Sequence, residues 1–222
     1  MPIPELTSVE VRILGALMEK RRATPEQYPL TLNALVNACN QKSSRDPVVD
    51  YDEKTVVRAL DTLREKKLAL LVSSAGGRVP KYQECLTSAF YLTEAQSAIL
   101  TVLMLRGPQT VGELRSRGAR LHEFDSLDQI QETLDRLREK DGDTMVTLLP
   151  RQTGRKECRY AHLLCGEPEI PEETPATPRA EAAREAVDAE NQRLTALEEQ
   201  VRSLREQLES LRAEFDAFRD QF

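Results

Sequence analysis

A chain of 222 residues, 40% hydrophobic and 31% charged, is long enough to bury a real core in one or two domains and still present long solvated helices. Its net charge of −6 belongs to the tail: residues 1–90 hold 13 Lys/Arg against 11 Asp/Glu, residues 91–165 hold 11 of each, and residues 166–222 hold 7 against 15, so the acidic balance leaves room for a basic face near the N-terminus. The longest apolar runs fall far short of the ~18 residues of a membrane span, Cys39, Cys85, Cys158 and Cys165 are scattered with no CxxC, and Met1-Pro2-Ile3-Pro4 has neither a basic nor an apolar leader region, all of which argue against a membrane or secreted, disulfide-stapled protein and for the cytoplasm.

Taken in chain order, Thr7 with Glu10 three residues on predicts a capped first helix, with Ile13, Leu14, Leu17 and Met18 at helical spacing. A connection from Lys20 to Leu30, carrying Pro25, Tyr28 and Pro29, reads as a packed or partner-binding loop. A short second helix is expected from about Thr31 to Cys39, and Asp52 is expected to cap a third with Val56, Ala59, Leu60 and Leu63 inward. Leu70 to Val72 reads as a strand, Ala75-Gly76-Gly77 as a turn, and Arg78 to Tyr82 as a returning strand, placed at a sheet edge because Pro80 lacks an N–H.

The same order then recurs. Helix one spans Glu94 to Leu105 and stops at Gly107-Pro108, Thr110 with Glu113 caps helix two, and helix three runs from about Leu127 to Lys140. Met145 to Leu149 and Glu157 to Leu164 are the strands, joined by a turn at residues 151–156. Residue identities support a duplication. Leu6, Thr7, Ile13, Leu14, Leu17 and Met18 recur 86 positions on as Leu92, Thr93, Ile99, Leu100, Leu103 and Met104. At an offset of 74, Leu60-Asp61 and Leu63-Arg64-Glu65-Lys66 recur as Leu134-Asp135 and Leu137-Arg138-Glu139-Lys140.

Three helices and a hairpin, twice, predict a mainly α chain with small β-hairpins (α+β): tandem winged-helix domains at 1–90 and 91–165. A linker rich in Pro and acid follows at 166–180. At 181–222 a coiled-coil helix is expected, with Leu194, Val201, Leu208, Phe215 and Phe222 at position a and Leu197, Leu204, Leu211 and Phe218 at d, a narrow seam suited to a parallel homodimer.

Chemistry is sparse. The histidines number two, His122 between helices and His162 in the last strand. Cys158 and His162 share a strand face but Cys165 points the other way, so no metal set forms, and no GxGxxG, P-loop or HExxH pattern appears. A non-enzymatic protein without a cofactor is expected.

Nucleic-acid binding is the functional option the pattern keeps open, since third helices of this architecture enter the major groove and wings touch phosphates. Lys54 and Arg58 lie on the outer face of the third helix, Lys42 and Arg45 precede it, and Arg78 and Lys81 sit on the first wing. Arg151, Arg155 and Lys156 occupy the second wing tip. Asp61 and Glu65 oppose this on the first third helix, and Asp128, Glu132, Asp135 and Glu139 crowd the second, where solvated faces are the simpler reading. Asn40, Gln41, Lys42 and Arg45 read equally as a phosphate or protein contact and as side chains tying down the long loop.

Thr24-Pro25-Glu26-Gln27-Tyr28-Pro29-Leu30, Ala38-Cys39-Asn40-Gln41-Lys42 and Arg45-Asp46-Pro47-Val48 resemble the bacterial YceH family, as do Leu105-Arg106-Gly107-Pro108-Gln109-Thr110, Gly112-Glu113-Leu114-Arg115-Ser116-Arg117, His122-Glu123-Phe124 and Arg159-Tyr160. The resemblance covers residues 6–166. It implies tandem winged helices and a helical tail, and no reaction or catalytic residue. The working expectation is a DNA-associated regulatory or architectural protein that contacts double-stranded DNA and dimerises through its tail. The rival is a protein-binding scaffold of the chromosome-segregation accessory type, without direct DNA contact.

Overall fold

Helix α1 (Ser8–Ala23) begins where the sequence places it, because Thr7 and Glu10 close a reciprocal capping box: Thr7 Oγ1 accepts from the Glu10 N–H at 3.3 Å, and Glu10 Oε2 accepts from the Thr7 N–H at 2.7 Å. The computed structural model describes residues 3–72, 79–139, 144–151 and 157–167, all within one compact unit, residues 1–169. The expected coiled-coil tail and nearly all of the linker lie outside the described residues, as do both hairpin tips.

After α1 a single 3-10 turn (Pro25–Gln27) leads to strand β1 (Leu30–Thr31) and helix α2 (Leu32–Cys39), capped by Thr31. Helix α3 (Glu53–Glu65) is capped by Asp52, whose Oδ1 accepts from the Thr55 N–H at 2.8 Å. Strands β2 (Ala69–Val72) and β3 (Lys81–Glu84) follow, then a one-turn helix α4 (Leu86–Ala89). The second half comprises α5 (Glu94–Arg106), α6 (Val111–Gly118), α7 (Leu127–Arg138), β4 (Val146–Leu148) and β5 (Tyr160–His162). The described residues are thus a mixed assembly of helices and small antiparallel sheets.

The first sheet corrects one expectation. Its order is β1-β3-β2, so β3 is central and not an edge: Leu30 and Thr31 pair with Tyr82 and Lys81, while Leu71 and Val72 take the other side of the same residues. Pro80 sits just before the strand, where its missing N–H breaks no ladder bond. The long loop therefore ends in the sheet, at Leu30. Tyr28 adds to this by accepting the Glu84 N–H on its hydroxyl at 2.7 Å. The second half repeats the arrangement in reduced form. β4 and β5 pair antiparallel, and Gln109, one residue before the Thr110 cap, bridges Tyr160 as Leu30 bridges Tyr82.

The two halves share one core. Residues Glu10 to Met18 of α1 and Gln96 to Leu105 of α5 are buried without interruption, so neither helix keeps a solvated face over those turns. Val56, Leu60 and Leu63 of α3 and Ile130, Leu134 and Leu137 of α7 belong to the same hydrophobic cluster. α1 and α5 pack directly on each other, and they approach closely at Gly15, where a Cβ would lie 2.9 Å from Leu105 Cδ2 and 3.2 Å from Met104 Cβ. Polar ties reinforce the contact. Arg22 donates twice to the Glu94 carboxylate, at 2.7 and 3.1 Å, and once to the Leu121 carbonyl, and the Asp46 N–H donates to the Leu105 carbonyl at 2.9 Å.

Candidate nucleic-acid interface

The amphipathic α3 sets out the first cations. With Val56, Leu60 and Leu63 buried, Lys54 and Arg58 fall four residues apart on the exposed side, and no ion-pair or hydrogen-bonding partner holds either head group among the described residues. The cap beside them stays ionised: hydrogen bonds from Thr55 hold the Asp52 carboxyl below its ordinary value, and Lys54 and Arg58 add to the effect. Asp61, the carboxylate expected to oppose them, is engaged by Arg64 at 3.1 Å. Glu65 is exposed.

Lys42 is exposed in the loop before α3, and Lys81 is half-buried at the first position of β3, both without an ion-pair partner among the described residues. Arg151 is exposed just after β4. Arg78, Arg155 and Lys156 lie outside the described residues.

Arg45 departs from the expectation. Its side chain is fully buried and forms a bidentate pair with Glu19, Nη2 to Oε2 at 2.6 Å and Nη1 to Oε1 at 3.2 Å, while Nη2 and Nε donate to the Ala38 carbonyl at 2.8 and 3.2 Å. With its donors turned inward, it is a clamp between α1 and the end of α2 and no phosphate contact. Asn40 has a similar role: its side chain exchanges two 2.9 Å hydrogen bonds with the Tyr51 backbone. Of the polar run, the loop-tying reading fits Asn40 and Arg45, and Lys42 remains available. Arg12, which sequence inspection passed over, is also buried and donates to the Cys39 and Pro47 carbonyls at 3.4 and 2.6 Å. Burial, with Arg45 nearby, lowers its pKa.

The equivalent face in the second half is different. Asp128, Glu132 and Glu139 of α7 and its end are exposed, Asp135 is half-buried, and the cations there are turned to them, Arg138 to Asp135 at 3.5 Å and Arg136 to Glu132 at 4.0 Å. Arg159 binds Glu113 at 2.9 Å and donates to the Pro108 carbonyl at 2.7 Å, fixing β5 to the start of α6. His162 is pushed down to about 4 by burial, and its Nδ1 has no hydrogen-bond partner among the described residues. Among the described residues no three His, Cys, Asp or Glu side chains are grouped to hold a metal ion, and no helix is long and apolar enough to cross a membrane.

A family described as "Protein of unknown function, DUF480" matches residues 6–155. The chain is 56% identical over 175 residues to a UPF0502 protein of Opitutus terrae, covering 79% of this chain and 76% of that protein. It is 56% identical over 179 residues to one of Geotalea uraniireducens, covering 81% and 80%. One of Geobacter sulfurreducens is 51% identical over 179 residues, with the same coverage of 81% and 80%. The chain belongs to this DUF480/UPF0502 family, an uncharacterised one. That agrees with the resemblance to an uncharacterised family, although the YceH name itself is not established.

Proposed function

We propose that this DUF480 member is a non-catalytic, DNA-associated protein in which two winged-helix units are arranged in tandem and the first carries the duplex contact. The order helix, helix, helix, hairpin in each half supports the winged-helix reading, with α2 and α3 as the helix-turn-helix pair and β2–β3 as the wing. The observation that carries the functional reading is Lys54 and Arg58 on the exposed face of α3, both without an ion-pair or hydrogen-bonding partner among the described residues and near the N-terminal end from which such helices address base edges. Lys42, in the loop before that helix, and Lys81, at the start of β3, are assigned as backbone contacts. The heptad pattern of residues 194–222 supports, from sequence, a homodimer.

The test is fluorescence anisotropy of a labelled duplex with the full chain across a salt series. If Lys42, Lys54, Arg58 and Lys81 each neutralise a phosphate, affinity falls roughly fiftyfold between about 50 and about 150 mM salt. Absence of any anisotropy change at the lower salt removes the proposal.

The acidic exposed face of α7, with Leu127 46% exposed at its start, favours a second reading, a scaffold that grips a basic protein segment. Under that reading duplex affinity is absent, and a stoichiometric protein complex is lost on Glu132→Lys.

A further inference from the structure

On the far side of the Arg45–Glu19 clamp lies a cleft of about 770 Å³, formed where the end of α1, the loop at residues 41–44, α5 and the end of α6 converge. Its lining includes four cations, Lys20, Arg106, Arg117 and Arg120, against one carboxylate, Glu19. That carboxylate is already neutralised by the buried Arg45 at 2.6 Å and approached by Lys20 at 3.5 Å. Arg117 is shared with Gln109 and, at 3.4 Å, with Glu113, and Arg106 donates to the Ser44 hydroxyl at 2.7 Å. Arg120 is exposed and has no ion-pair or hydrogen-bonding partner among the described residues.

Helix ends account for part of this charge. Lys20, Arg106 and Arg117 lie in the last turns of α1, α5 and α6, where cations offset the negative end of a helix. Each end carries only about half an elementary charge, so three of them offset roughly one and a half positive charges and leave the cleft positive. Arg120 lies two residues beyond α6, outside the last turn, where that effect has faded. The cations also press on one another: Arg106 is held below the ordinary arginine value by burial, then by Arg117, Arg45 and Arg120. Ser43 and Ser116 add hydroxyls, while Val102, Leu105 and Leu121 of the lining are themselves buried.

We propose that this cleft is a binding site for a phosphorylated small molecule, with Arg120, Arg117, Arg106 and Lys20 taking its phosphates. The volume exceeds what a bare phosphate fills and suits a compact phosphate ester, in the range usual for small-molecule pockets. Lys20, at the end of α1, and Arg106, Arg117 and Arg120, from the second half, line the same cleft, so the ligand would bridge the two halves.

The experiment is titration calorimetry of the full chain with inorganic phosphate, pyrophosphate and ADP at low salt, with thermal unfolding measured in parallel. Pyrophosphate is expected to bind at submillimolar concentration and to raise the unfolding temperature. Inorganic phosphate is expected to bind more weakly, and ADP at least as tightly as pyrophosphate. Arg120→Ala is expected to keep the wild-type circular dichroism and to weaken pyrophosphate about tenfold, the effect of removing a charge-assisted contact. The proposal is overturned if none of the three binds at millimolar concentration, or if Arg120→Ala binds pyrophosphate as the wild type does. Loss of duplex affinity by Arg120→Ala, where the wild type shows no pyrophosphate binding, also overturns it, because the cleft then serves the DNA backbone. Lys54→Ala/Arg58→Ala is expected to leave the pyrophosphate isotherm unchanged, which separates this site from the α3 contact.

Discussion

Replacing Arg45 with alanine is expected to destabilise the protein by about 2–3 kcal/mol, measured as the change in urea unfolding free energy, because it strands a largely buried carboxylate that has lost two charge-assisted hydrogen bonds. The Glu19 side chain is 16% exposed and receives two hydrogen bonds from Arg45. Burial alone would raise its pKa, but Arg45, helped by Lys20, holds it below the ordinary value of 4.5. A carboxyl whose folded pKa is depressed contributes stability that is complete above its unfolded pKa and fades as pH falls through the folded one. The wild type should therefore lose this contribution below about pH 4.5, and the difference between wild type and Arg45→Ala should shrink there. Glu19→Gln/Arg45→Met should recover much of the loss, since exchanging both partners for groups of similar volume leaves no orphan charge. Equal stability of Arg45→Ala and wild type at neutral pH would mean that the clamp contributes nothing.

The second large effect is expected at Gly15. Valine adds three carbons where even one would lie 2.9 Å from Leu105 Cδ2 and 3.2 Å from Met104 Cβ. Leu105 can swing away, but the Met104 Cβ is fixed to the α5 backbone, so α1 and α5 must separate. Overpacking of this kind costs about 1–3 kcal/mol. Glycine is a poor helix former, so Gly15→Ala recovers up to about 1 kcal/mol of propensity against its own clash and should be the milder variant. Because the core runs through this contact, Gly15→Val should make α1–α3 and α5–α7 open together in one cooperative transition at lower temperature. Hydrogen exchange that leaves α5–α7 protected after α1–α3 has opened would show that the halves fold separately.

Local signals were legible. Thr7 with Glu10, Asp52 and Thr110 with Glu113 cap the helices as read, because a cap depends on residues three apart. The capping box of Thr93 and Gln96 follows from the offset of 86, which carries Thr7 and Glu10 onto those two positions. β1 escaped notice because its two residues carry no periodicity, and β3 was put at the edge because only the distant Leu30–Tyr82 pairing makes it central. Arg45 looked like a solvent cation because a lone arginine in a polar run gives no sign of a glutamate 26 positions earlier. The shared core was hidden for a similar reason: Ile13, Leu14, Leu17 and Met18 mark one helical stripe, and burial of the remaining α1 surface depends on α5, about 86 residues away. The cleft cations were missed because α1, α5 and α6 bring them together from separate parts of the chain.

The central functional claim is that α3 meets DNA through Lys54 and Arg58. Its most direct test is the salt dependence of duplex affinity for Lys54→Ala/Arg58→Ala beside the wild type. Two lost phosphate contacts should flatten the slope of log affinity against log salt by about 1.8, from roughly −3.6, and weaken binding at low salt. Superimposable salt plots for the two proteins would contradict the claim.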